Sequence, residues 1–212
     1  MILRNSILSC LALMLASCGS SPQTHFFTLS ADSSGAQAPV PVPITVAAVH
    51  VPASLDRREM AKATGANTVE VDEQDRWTAP LGDMARRVLS EDLSQRVAKG
   101  RVILPDAPAP PETHQIVVSI SEFGPSGGAV KLNGSWSLVD PKQHLVLQRD
   151  VDLQTPSPAP SASGEAAGMS GLLGQLASNI ATTLSGTDLR KTAGSRRSSD
   201  RRPATLAGRG PG

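Results

Sequence analysis

Tyrosine is absent from this 212-residue chain, and three phenylalanines and two tryptophans are its only aromatics. So few rings argue against a base-stacking surface for nucleic acid. Cysteine is nearly absent: Cys10 and Cys18 are the only two. No apolar run approaches the roughly 20 residues needed to cross a bilayer as a helix. A Gly-x-x-x-x-Gly-Lys-Ser/Thr loop is missing, which excludes nucleotide hydrolysis by that route. The four histidines (His25, His50, His114, His144) lack metal-ligand spacing, so no metal or cofactor is expected. "GMSGL" at 168–172 lacks the Gly-x-Ser-x-Gly elbow and falls on a helical pattern. Carboxylates are plentiful but fall in turns or on helix surfaces, where solubility explains them. The chain reads as a non-enzyme.

What is present begins at the N-terminus. Arg4 supplies one positive charge, an apolar stretch runs from Ile7 to Ala16, and small residues follow. That is the layout of a secretory signal, too short for a membrane span. Its end, Leu15-Ala16-Ser17-Cys18, resembles a bacterial lipobox, in which the cysteine becomes the first mature residue and carries lipid. A thiolate is the required nucleophile for that linkage. The alternative is plain cleavage with a free thiol left behind. Cys10 leaves with the signal, so Cys18 is alone in the mature chain, and lipidation removes a thiol that an oxidising compartment would attack. Two or more acyl chains anchor stably at about 0.8 kcal/mol per buried methylene. Gly19 and Ser20 are neutral, and the missing aspartate after the cysteine points to the outer membrane, periplasmic face.

Charge divides the remainder. Residues 19–186 carry 12 basic and 17 acidic side chains, a net −5, whereas residues 187–212 carry seven basic and two acidic ones. An acidic body does not suit a nucleic-acid partner. Four segments are expected: a signal peptide at 1–17, a lipidated N-terminus and flexible spacer at 18–43, a folded domain at 44–186, and a disordered basic tail at 187–212. The spacer expectation rests on "SADSSGAQAPVPVP", whose composition buries little apolar surface and whose prolines favour extension; it would hold the domain off the lipid.

Within the domain, "ITVAAVHV" (44–51) reads as a central strand covered on both faces. Short strands near 59–63 and 68–71 flank a Gly65-Ala66-Asn67 turn, and "DEQDR" reads as a polar loop leading to Trp77. Leu81, Met84, Ala85, Val88, Leu89, Leu93 and Val97 recur at helical spacing, with Thr78 as a cap, Pro80 in the first turn and Gly100 at the stop. "RVIL" is a short strand. Three period-two runs, "HQIVVSISEF", "AVKLNGSWSLV" and "HLVLQRDVDL", form an antiparallel meander. A last helix spans about 165–184, with Met169, Leu172, Leu173, Leu176, Ile180 and Leu184 on one side. Its glycines cost about 1 kcal/mol each relative to alanine, so docking must hold it, and its small face permits close contact. The fold class is α/β: a mixed sheet with an antiparallel meander, flanked by helices, with a two-layer α+β arrangement as the alternative.

Two stretches call for explanation. "VPASLDR" places Pro52, Leu55, Asp56 and Arg57 past a strand end, and "RWTAPL" places Trp77 and Pro80 before the main helix. Asp56 and Arg57 read either as a contact site or as a surface ion pair worth under about 1 kcal/mol. Trp77 reads either as an exposed contact or as a core residue. Together with the lipobox, "HFFTLS" and "LNGSWSLVD", these motifs resemble the ABC-type transport auxiliary lipoprotein family (PqiC-like) over about residues 18–185. Tyrosines common at the "HFFTLS" position in that family are missing, and the basic tail has no counterpart. The resemblance implies an α/β domain, a non-catalytic auxiliary role beside a mammalian-cell-entry (MCE) type lipid transporter, and partners in an MCE-domain protein and, indirectly, its permease and ATPase. It implies Pro52, Leu55, Asp56, Arg57, Trp77 and Pro80 as contacts, and leaves homo-oligomerisation open. The alternative from the residues is a stand-alone periplasmic lipoprotein that binds a small apolar ligand or cell-wall component.

Overall fold

The computed structural model describes residues 22–32, 34–65, 67–187 and 189. The signal peptide, Cys18 and the basic tail expected from the sequence lie outside the described residues.

Strands β1 (His25–Phe27), β2 (Ile44–His50), β3 (Glu59–Gly65) and β4 (Thr68–Trp77) come first, then helix α1 (Leu81–Arg96). Strands β5 (Val102–Ile103), β6 (His114–Ser126), β7 (Ala129–Val139) and β8 (Leu145–Pro156) follow, and helix α2 (Ala162–Gly186) closes the series. They build a five-stranded sheet in the order β5-β2-β6-β7-β8 and a three-stranded sheet in the order β1-β4-β3. Strand β2 runs parallel to both β5 and β6, whereas β6, β7 and β8 pair antiparallel as the expected meander. The fold is a mixed α/β arrangement.

Alternation explains the five-stranded sheet. Ile116, Val118, Ile120 and Phe123 of β6 and Val130, Leu132, Trp136 and Leu138 of β7 are buried on one face. Both helices pack on that face and on each other, and no described element covers the opposite one. Strand β2 therefore lies inside the sheet but is covered on one face only, with Ala47 and Ala48 half-buried; the expectation of two covered faces fails because those alanines need little cover. Gly134 is required by proximity: a Cβ there would run into the backbone of Ser119 on β6.

The α1 stripe holds as expected, with Leu81, Met84, Val88, Leu89, Leu93 and Val97 almost wholly buried. Its ends differ. Pro80 is the N-cap, with no side-chain cap, and Thr78 instead directs its hydroxyl to Met84 Sδ at 3.5 Å. The helix stops at Arg96 because Val97 turns extended and bridges to Ala38, well before Gly100. Helix α2 starts three residues earlier than expected, at Ala162, because Ser161 Oγ accepts the Gly164 N–H at 3.2 Å. Gly168 and Gly174 admit close neighbours: a Cβ would meet Val130 Cγ2 at 2.7 Å and Arg96 Nη2 at 3.2 Å respectively.

Two further expectations are corrected. "DEQDR" is strand, the C-terminal half of β4, because β1 pairs parallel with Asp75–Trp77 and β3 pairs with Asp72 and Arg76 on the other side, the register jumping across Glu73–Asp75. The segment expected to be a spacer is anchored at two points: Leu29 and Val40 are 2% and 3% exposed, while most described residues between them face solvent. Burial of two large apolar side chains anchors a stretch whose composition alone would leave it loose.

Candidate functional site

The loop after β2 and the start of α1 meet through one carboxylate. Pro52 O accepts the N–H groups of Leu55 at 2.8 Å and Asp56 at 3.0 Å, a tight turn that aims Asp56 back at the helix. Gly82 N–H donates to Asp56 Oδ1 at 3.1 Å. The first N–H groups of a helix have no internal partner and its N-terminus carries partial positive charge, so an aspartate from another loop supplies the cap that Pro80 cannot. Gly82 fits because a Cβ there would sit 2.9 Å from Val49 O.

Five of the six expected contact residues thereby share one accessible patch. Asp56, Arg57 and Pro80 are exposed, and Pro52 and Leu55 are half-buried. Arg57 Nε donates to Glu59 Oε2 at 3.0 Å. Trp77 is the correction: at 3% exposure it belongs to the core, pinned by its N–H to Arg58 O at 2.6 Å. Its parity in β4 turns the ring inward beside Phe27, beneath the exposed patch. An open cleft of about 480 Å³ continues from Thr78 along the wet side of α1. Met84, Leu104 and Pro105 give it apolar walls, and Arg86, Arg87 and Asp106 give it a charged rim.

A second constellation lies in the α1–α2 seam, and the sequence reading missed it. Arg96 and Asp92 are 3% and 0% exposed. Arg96 Nη1 donates to Asp92 Oδ1 at 3.1 Å and to Asp32 O at 2.9 Å, Nη2 pairs with Asp32 Oδ2 at 3.2 Å, and Nε donates to Ser178 Oγ at 2.9 Å. Asp32 N–H donates to Asp92 Oδ1 at 2.7 Å, and Ser30 N–H donates to Ser170 Oγ at 3.2 Å. Ala38 N–H donates to Arg96 O at 2.7 Å. The N-terminal segment is thus strapped across both helices. Burial pushes the Asp92 carboxyl up to about 6 against the opposing pull of the Asp32 N–H and Arg96, and its Oδ2 has no partner. Hydrogen bonds from the Ser34 hydroxyl and N–H, with Arg96 nearby, hold Asp32 below its ordinary value. The signal that finds this cluster is two opposite charges four residues apart on the apolar face of α1.

A third feature is an open cleft of about 440 Å³ between the β3–β4 hairpin and the start of α2. Glu70, Asp72 and Glu165 face it with Lys62, and burial raises the Glu165 carboxyl. Among the described residues no group of His, Cys, Asp and Glu has the arrangement of a metal site.

Residues 27–181 match the family model of the ABC-type transport auxiliary lipoprotein component. No curated protein matches the chain. Among solved structures, a Xanthomonas campestris protein is 16% identical, covering 82% of this chain and 99% of its own, with a TM-score of 0.59. A second solved chain, an uncharacterized protein, is 18% identical over 77% of this chain and 97% of its own, with a TM-score of 0.57. A PelC dodecamer from Paraburkholderia phytofirmans is 12% identical over 73% of this chain and 95% of its own, with a TM-score of 0.40.

Proposed function

The chain belongs to the ABC-type transport auxiliary lipoprotein family, and from that membership we propose that it is a non-catalytic adaptor of an MCE-type lipid transporter, held by lipid on Cys18 at the periplasmic face of the outer membrane. The observation that carries the reading is the family match, which spans both sheets and both helices together with the loop patch. The patch formed by Pro52, Leu55, Asp56, Arg57 and Pro80 is the docking surface for the MCE-domain protein. Loops on a rigid scaffold suit that task, and here the Asp56 carboxylate locks the loop to α1 before any partner arrives. The adjoining cleft, with apolar walls and a charged rim, extends the surface. No helix among the described residues is long and apolar enough to cross a membrane, which suits attachment through Cys18 alone.

The test is photocrosslinking in intact cells. A photoreactive residue replacing Arg57 or Pro80 should capture an MCE-domain protein, and one replacing Asp150 on β8 should not. Capture at neither Arg57 nor Pro80 would refute the docking surface. Deletion of the gene without loss of detergent resistance would refute the transport role.

A further inference from the structure

We propose that the outer face of the three-stranded sheet lies against the lipid surface itself, so that the chain is held by its anchor and by a sheet face together. The inference rests on lipidation of Cys18.

The face is defined by register. Phe27 pairs with Trp77, which is buried, so Phe26 and its partner Arg76 point the other way. Along the hairpin, Met60 pairs with Asp72 and Lys62 with Glu70 on the side of the acidic cleft. Ala61 with Val71, and Val69 further on, therefore alternate onto the side that carries Phe26. The outer face thus presents Phe26 and Val69, with Ala61 and Val71, which also border the cleft, half-buried between them. Phe26 is 64% exposed and Val69 43% exposed, two of the four large apolar side chains that stand out in the described residues. Arg76 lies among them, and Arg57 and Arg58 are exposed at the same end of the sheet; Glu59, the acid on this face, is engaged by Arg57. Carboxylates Glu70 and Asp72 are on the opposite side, so the two faces differ in sign as well as in polarity.

Chain length supplies the occupant. Seven residues separate Cys18 from Phe26, eight chain steps that reach at most about 28 Å even when fully extended. A domain of this size is roughly 40 Å across. Because Leu29 and Val40 are buried and Ser30, Asp32 and Ala38 are bonded to the helices, the slack that a longer free spacer would give is missing. The surface around β1 is therefore the part of the domain nearest the anchor. An exposed aromatic with neighbouring arginines suits the interface between acyl chains and anionic headgroups.

Lipidation consumes the Cys18 thiol and Cys10 leaves with the signal, so a single engineered cysteine is the only free thiol in the mature chain. The mature lipoprotein carrying Val69→Cys, and separately Asp150→Cys on β8, is reconstituted into vesicles of phosphatidylethanolamine and phosphatidylglycerol. Maleimide labelling is measured there and in detergent micelles. Burying side chains of this size favours the docked orientation by roughly tenfold or more. Labelling of Val69→Cys should fall by about that factor in vesicles relative to Asp150→Cys. Palmitate incorporated into the chain with equal labelling at both positions would overturn the proposal alone. Absence of palmitate from the wild-type chain, with Cys18→Ser as reference, would overturn the anchor and the proposal together.

Discussion

The two sheets differ in what holds them. The five-stranded sheet buries Ile116, Val118, Leu132, Trp136 and Leu138 beneath two helices, so its registers are fixed by apolar side chains that have one place to go. The three-stranded sheet buries Met60 and Trp77 and leaves a hairpin of charged residues and a few exposed apolar ones. Stability resides in the first, and the second is free to meet other surfaces. Between them runs the strapped N-terminal segment, joined to the helix layer by ionic and hydrogen-bonded contacts.

The sharpest way to break the contrast is to attack the strap. Arg96→Ala leaves Asp92 buried without its partner and takes the donor from Asp32 O and Ser178 Oγ, and should lower stability by about 3–5 kcal/mol in urea unfolding. Replacing both residues with leucine should recover much of that loss. Gly134→Val should force β6 and β7 apart and cost about 1–3 kcal/mol, read as a fall in Tm.

Acidity sharpens it further. The Asp92 pKa is raised in the folded chain, from the ordinary 3.8 to about 6, so the folded state binds the proton more tightly than the unfolded state does. The contribution of Asp92 to stability therefore rises as pH falls through 6 and is complete below about 4. Between pH 7 and pH 5 the gain should be on the order of 1 kcal/mol, and Asp92→Asn should remove it. The smallest effect belongs to the small sheet: Val69→Ser on the exposed hairpin should change stability by less than about 0.5 kcal/mol in the same urea titration.

Periodicity made the larger sheet and both helices legible. Val130, Leu132, Trp136 and Leu138 alternate, and the α1 stripe steps by three and four, because each faces a single apolar layer. The small sheet was harder to read. Strand β4 carries the polar run Asp72–Asp75, where pairing of Asp72 with β3 and of Asp75 with β1 outweighs a composition that favours loops, and Glu73 and Gln74 bulge between them. Tertiary docking likewise overrides composition between Leu29 and Val40, where small and polar residues sit beside two apolar anchors. At the patch, sequence alone located Pro52 through Arg57 and Pro80 at a strand end and a helix start. The hydrogen bond from Gly82 to Asp56 joins positions 26 residues apart, which no local pattern encodes. Trp77 shows the same limit from the other side, since an isolated tryptophan beside a helix start carries no mark of which way it points.

The order in which the N-terminal segment is fastened has a mechanical consequence. A tug on the leading end first meets β1, laid parallel against Asp75–Trp77, then Ser30 on Ser170, Asp32 on Asp92 and Arg96, and finally Ala38 on Arg96. These fastenings lie in series along the chain ahead of β2, so each must rupture before load reaches the next. With the proposed lipid anchor in place, a membrane that drags on it would spend its force on sacrificial links, and the strands beneath the helices would stay unloaded until the last of them has gone.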